Sequence, residues 1–143
     1  MYLWAKDRKE ILDLGRTELR DFKPDGLTFR IIGAAMAVHS KVGPGLFESI
    51  YENSLCIELD RREISYERQK RFPVHYDGEH VGELIADLVV EEKVIVELKS
   101  VKDLLPSHGA QVIAYLRAAR LKRGLPINFN VVSHKTGIRR ISV

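Results

Sequence analysis

Cysteine is almost missing: Cys56 stands alone among 143 residues. A single thiol cannot close an intramolecular bridge, and no CxxC pair or Cys/His cluster surrounds it, so a disulfide scaffold and a zinc finger are both excluded. A reducing, cytoplasmic setting is the resulting expectation. Long hydrophobic runs are also missing. The opening stretch MYLWAKDRKEILDLG is broken by charges every few positions, and no later run approaches the roughly 18 apolar residues of a membrane span. Neither a secretory signal nor contact with a membrane is expected. The charge imbalance is small, at +3, which permits a polyanionic partner without arguing for one. No internal repeat, low-complexity stretch or aromatic-rich groove for stacking single strands is legible.

What is present suits one compact domain. Hydrophobic residues make up 45% and charged residues 30%, and a chain of this length can bury a core that needs neither disulfide nor structural metal. Residues 1–23 mix charges closely, with Trp4, Ile11, Gly15, Leu19 and Phe22 at roughly helical spacing, so residues 1–25 read as an N-terminal helical arm that packs on the domain or mediates a homodimer. Pro24-Asp25-Gly26 marks a boundary, with Asp25 as N-cap of a helix over about 26–41. VGPG, residues 42–45, breaks it. A second helix follows over about 46–62, with Phe47, Tyr51, Leu55 and Leu59 on one side.

From Tyr66 the period changes to that of strands. Asp77-Gly78 is a hairpin signal between alternating stretches, and three strands are read over about 66–76, 80–90 and 93–100. A third helix is expected over about 107–123, capped by Ser107 after Pro106 and closed by Gly124. Two short strands, PINFNVV and GIRRISV, flank a turn at Lys135 to Gly137. The order α, α, β, β, β, α, β, β predicts an α/β domain, a central mixed sheet flanked by helices.

The hairpin DLVVEEKVIVELK, residues 87–99, carries Asp87, Glu97 and Lys99 among its valines. If its loop is the three residues Glu91 to Lys93, Val90 faces Val94 and Asp87 faces Glu97; a two-residue loop would separate the acids. On the first register the two carboxylates lie with Cβ atoms roughly 5 Å apart, an arrangement that destabilises the pair unless something positive compensates. Lys99, on the same face as Glu97, could do so as a purely structural ion cluster, or a divalent metal held by both acids could. Glu48 lies about 20° on a helical wheel from both Leu55 and Leu59, so this acid points at the sheet unless, near the N3 position, it bonds back to free amides. Gln111 and Tyr115, four apart, stack on one face of the third helix.

These residues resemble a known family. Gly45-Leu46-Phe47-Glu48-Ser49-Ile50-Tyr51 is similar to the signature of the GxxExxY proteins, placed in the PD-(D/E)xK nuclease-like superfamily, and the likeness runs from about residue 26 through VHSKVGPG, ADLVV, VIVELK, AQVIAYL and INF to the C-terminus. It sets 26–143 as a single domain with a restriction-endonuclease-like core. It implies Asp87 as the acidic position, Glu97 and Lys99 as the ExK, Glu48 as the helix glutamate of RecB-type members, and Gln111 with Tyr115 as a QxxxY. Gly109 departs from the pattern, which carries a larger polar residue there.

The implied activity is metal-dependent hydrolysis of phosphodiester bonds. Asp87, Glu97 and the backbone carbonyl of Leu98 would hold Mg2+ or Mn2+, with Glu48 joining directly or through a water, since all-oxygen ligation suits hard ions. Lys99 would orient and help deprotonate the attacking water, and Gln111 and Tyr115 would position it or the backbone. The partner is then nucleic acid, DNA favoured. Lys70, Arg71, Lys102, Arg120, Lys122, Arg123, Arg139 and Arg140 are candidates for phosphate contact, while His39 and His108 read mainly as packing. The alternative function is a non-catalytic nucleic-acid-binding or assembly protein that keeps the nuclease-like fold.

Overall fold

The computed structural model describes residues 2–5, 26–132 and 137–143. Its elements in chain order are β1 (Tyr2–Ala5), α1 (Leu27–Val42), α2 (Glu48–Arg61), β2 (Tyr66–Tyr76), β3 (Glu79–Val90), β4 (Val94–Lys99), α3 (Pro106–Ala119), β5 (Arg123–Asn128) and β6 (Ile138–Ser142). The six strands form one sheet in the order β1-β6-β5-β4-β3-β2, parallel only between β4 and β5 and antiparallel elsewhere. The expected mixed sheet with flanking helices is therefore present. None of the described helices is long and apolar enough to cross a membrane.

The N-terminal reading needs correction. Tyr2–Ala5 is not the start of a helical arm but an extended strand antiparallel to β6. The remainder of that arm, with Ile11, Gly15, Leu19, Phe22 and the Asp25 cap, lies outside the described residues, as do Lys135 and Thr136 of the final turn. Helix α1 starts after Gly26, which has no side chain with which to cap it.

Strand β4, VIVELK, is the centre of the molecule. Its first five residues are buried, because helices cover both faces of the sheet and such a strand reads as a nearly continuous apolar run. On one face Leu88, Val90, Val94, Val96 and Leu98 meet Ile31, Ala35 and Val38 of α1 and Tyr51, Leu55 and Leu59 of α2. On the other, Val89 and Ile95 meet Val112, Tyr115 and Leu116 of α3.

Helix α3 stops earlier than expected, at Ala119, with Arg120 in the left-handed conformation as its C-cap (φ 58°). Gly124 is not that cap; it sits inside β5, where a Cβ would collide with Val112 Cγ1 of α3. The missing side chain lets the helix lie close on the strand. At the other end Pro106 occupies the first turn, and the Leu105 amide donates to His108 Nδ1 (2.9 Å), so His108 rather than Ser107 satisfies the start of the helix.

Candidate active site

The β3–β4 hairpin turns through Glu91 and Glu92, both at positive φ (52° and 57°), and the Lys93 amide donates to the Val90 carbonyl (3.0 Å). Positive φ at two successive turn positions belongs to the turn that matches strand twist. Glu91 is held there from both sides, its amide donating to the Ser65 carbonyl and its Oε1 accepting from the Ser65 amide. The register is then Val90↔Val94, Val89↔Ile95, Leu88↔Val96, and its next step sets Asp87 against Glu97. The odd loop decides that the two acids share a face.

At that step the ladder changes partners. Glu97 Oε1 accepts from the Asp87 amide (3.0 Å) and Asp87 Oδ2 accepts from the Leu98 amide (2.8 Å), so each carboxylate takes the place of a strand carbonyl. Strand β3 leaves β4 here while still pairing with β2 to the end of their hairpin. Leu88 and Ala86, two apart, even join different faces of the core, Leu88 with α1 and α2 and Ala86 with α3. The β2–β3 ribbon twists at this point, and the opposite residue on β2, Gln69, takes a positive φ of 50°. The opening between the diverging strands is where the acids sit.

Glu97 is 3% exposed. Burial, and then the charge of Asp87 beside it, push its carboxyl up to about 8. Asp87 is half-buried, and its Oδ1 accepts from Gln69 Nε2 (3.3 Å), which also donates to Glu52 Oε1 (2.6 Å). Sequence reading missed both Gln69 and Glu52. The signals were available: Gln69 lies opposite Asp87 once the β2–β3 hairpin is closed, and Glu52 follows Glu48 by one helical turn.

Lys99 lies on the same face as Glu97, yet among the described residues no ion pair joins it to either acid. Its charge still reaches Glu97, where it opposes the upward push of burial and of Asp87. Gln111 Nε2 donates to the Tyr115 hydroxyl (3.1 Å). The buried Tyr115 phenol is pushed up by burial and then by the Glu97 charge, so it lies within reach of that charge.

Glu48 stands apart from them. It is the first residue of α2, not N3, and is exposed at the rim, its Oε1 accepting from the Ser100 amide just past β4 (3.4 Å). The expected convergence of three carboxylates is thus reduced to a pair: among the described residues, no three His, Cys, Asp or Glu side chains are grouped to hold a metal ion. Glu48 lines a cleft of about 170 Å³ together with Ser49, Glu52, Gln69, Asp87 and Leu98, so it faces Asp87 across open space.

The placement of Glu48 follows from its neighbours. Gly43 and Gly45 take positive φ (69° and 92°), which glycine adopts without strain. The buried Tyr51 hydroxyl donates to the Gly43 carbonyl (2.7 Å) and accepts from the Leu46 amide (3.1 Å), while its ring stacks on Phe129 with centroids 4.5 Å apart. Gly45 and Tyr51 fix the loop from which Glu48 projects. Phe47, placed by its spacing on the core side of α2, is instead 79% exposed.

The basic candidates divide. Arg139 and Arg140 are buried in β6, and Arg139 donates to the Leu104 and Leu105 carbonyls (2.8 and 3.4 Å), so neither presents its charge to a phosphate. Arg71 pairs with Glu83 and Lys70 with Glu67. Arg120, Lys122 and Arg123 gather beside Val94, at the end of β4 away from Lys99. Lys102, past β4, is exposed. His39 is buried with Nε2 2.7 Å from the Val131 carbonyl, a packing role. His108 is lowered by burial and then by Lys99, which puts it near the site.

An all-oxygen pair of acids, the inner one with its carboxyl pushed up by burial and by its like-charged neighbour, suits a hard divalent cation. Comparison with the curated proteins and with the solved structures finds no match. A family model described as the PD-(D/E)XK nuclease superfamily matches residues 25–141. With the acid pair, the lysine two residues on and the mixed sheet that presents them, the chain belongs to the PD-(D/E)XK nuclease superfamily.

Proposed function

We propose that this chain is a divalent-metal-dependent nuclease of the GxxExxY group that hydrolyses phosphodiester bonds, with DNA as the favoured substrate. The observation that supports this most is the side-by-side pair Asp87 and Glu97 with Lys99 on the same face and unpaired with either acid. Asp87, Glu97 and the Leu98 carbonyl would hold Mg2+ or Mn2+, and Glu48, across the cleft, would join through a water. Such an ion supplies charge neutralisation at the phosphorus and a more acidic water.

The protein's own groups do the rest. Lys99 Nζ donates to the attacking water and orients it; as the water oxygen bonds to phosphorus and the bond to the leaving oxygen breaks, the water's proton passes to solvent and the leaving oxygen takes one up from solvent. Gln69, braced by Glu52, fixes the free oxygen of Asp87. Gln111 and Tyr115, joined to each other, orient the water or the phosphate from the α3 side.

The test compares wild type with Glu97→Ala and Lys99→Ala on linear, circular and single-stranded substrates with Mg2+, Mn2+ or EDTA. Metal-dependent cutting lost in both variants is expected. Cutting that survives both substitutions would sink the assignment. The second reading, a non-catalytic nucleic-acid-binding or assembly protein, draws on Glu48 standing at the rim. Tight nucleic-acid binding with no cutting under any metal would favour it.

A further inference from the structure

Phe47 is 79% exposed. Water is a poor surrounding for a benzyl group, and a large apolar side chain left in it beside a site marks contact with something else. Its backbone is not loose. The Phe47 carbonyl accepts from the Ile50 amide (3.0 Å) as N-cap of α2, and the preceding Leu46 amide is held by the buried Tyr51 hydroxyl. A ring exposed on a fixed base is a preorganised platform.

The position of the platform gives it meaning. A cleft of about 600 Å³ is lined by Gly45, Leu46, Phe47, Glu48, Ser100 and Asn130. Glu48 also lines the cleft of Asp87, so the two clefts adjoin at this residue. The void is large enough for a small-molecule-sized group. Ser100 directly follows Lys99, so the far wall of this cleft continues the strand that carries the site.

We propose that Phe47 stacks on the base of an unpaired nucleotide next to the scissile phosphate, which makes single-stranded or frayed nucleic acid the substrate class. Every base has a π face, so such a contact accepts any sequence, whereas a base inside a duplex already has both faces stacked. The position relative to the scissile phosphate rests on the nuclease reading; the contact with an unpaired base does not.

The experiment measures fluorescence anisotropy in EDTA for a labelled thymidine strand, a uridine RNA strand, a blunt duplex and an abasic strand of equal charge. Wild type is compared with Phe47→Ala, Phe47→Leu and Phe47→Tyr, each checked by circular dichroism. Phe47→Ala is expected to weaken binding to the thymidine strand about five- to a hundredfold, and to leave the abasic strand and the duplex unchanged. Phe47→Tyr should stay within about threefold of wild type and Phe47→Leu should follow Phe47→Ala, because stacking needs a ring. The same loss on the uridine strand, or a loss on only one of the two strands, supports the proposal and says which nucleic acid is held.

Several results would overturn it: no binding of single strands by wild type, equal losses on thymidine and abasic strands, or a leucine as good as a tyrosine. So would a Phe47→Ala variant that alters only self-association, which would assign the ring, with exposed Ile50 and Ile57, to a protein contact. The two readings fail separately. Absence of cutting sinks the nuclease and leaves this result standing; cutting with an indifferent Phe47 does the reverse.

Discussion

Glu97 shows how burial and a like neighbour set the charge of one side chain. Its carboxyl is pushed up to about 8 by burial and then by Asp87. The sign of the pH effect follows directly. A carboxyl with a folded pKa above its unfolded value favours the folded state fully below the unfolded pKa of 4.5, and that contribution is lost as pH rises toward about 8. In EDTA, Glu97→Gln should therefore equal wild type near pH 3 and exceed it by on the order of 5 kcal/mol at pH 9. The amide resembles the protonated acid and can still accept from the Asp87 amide. Urea denaturation at both pH values measures this, and parallel pH profiles for the two proteins would contradict it.

The decisive element is the short loop that enters α2. Two glycines at positive φ reverse the chain, and the Tyr51 hydroxyl ties both sides of the reversal to the core. Tyr51→Phe keeps the stack on Phe129 but strands the Gly43 carbonyl and the Leu46 amide. A loss of about 1–3 kcal/mol in stability is expected. Cleavage should fall further than stability explains, since the start of α2 carries Glu48. Denaturation midpoints beside cleavage rates at a temperature where both proteins are folded test this; unchanged cleavage would show that Glu48 needs no such support. The loops around β4 are held in the same manner. Buried Asn128 accepts from the Val101 amide and donates to its carbonyl, and Arg139 holds the carbonyls of Leu104 and Leu105 that precede α3.

Across the whole molecule, the sheet concentrates charge where its strands part, and the result is a site whose folding should be linked to cation binding. A ligand that binds only the folded state stabilises it by about 2.7 kcal/mol at a hundredfold excess over Kd. Mn2+ should raise the unfolding midpoint of the wild type in this way. Asp87→Asn should abolish the rise, and calorimetry with and without EDTA reads it. A rise of equal size in the variant would place the cation elsewhere.

Sequence alone determined the local features. Strand and helix periods, Asp77-Gly78, the broken VGPG segment and the largely apolar run of β4 follow from side-chain chemistry, and with them came the mixed sheet, the superfamily and a candidate pairing of Asp87 with Glu97. That pairing depended on a loop of odd length, which sequence allowed and the turn at Glu91 and Glu92 decided. Only the tertiary structure decided the rest. Helical spacing placed Phe47 with Tyr51 because it assumes a core all along the helix, but the N-cap lies beyond the core's edge. Glu48 was expected beside the acids and stands across a cleft from them, because helix spacing gives direction and not depth. Gln69 and Glu52 join the site because strand twist and two packed elements bring them there, and Arg139 and Arg140 leave the surface because β6 lies inside the sheet. Periodicity tells which way a side chain points. What it meets depends on packing between segments far apart in the chain.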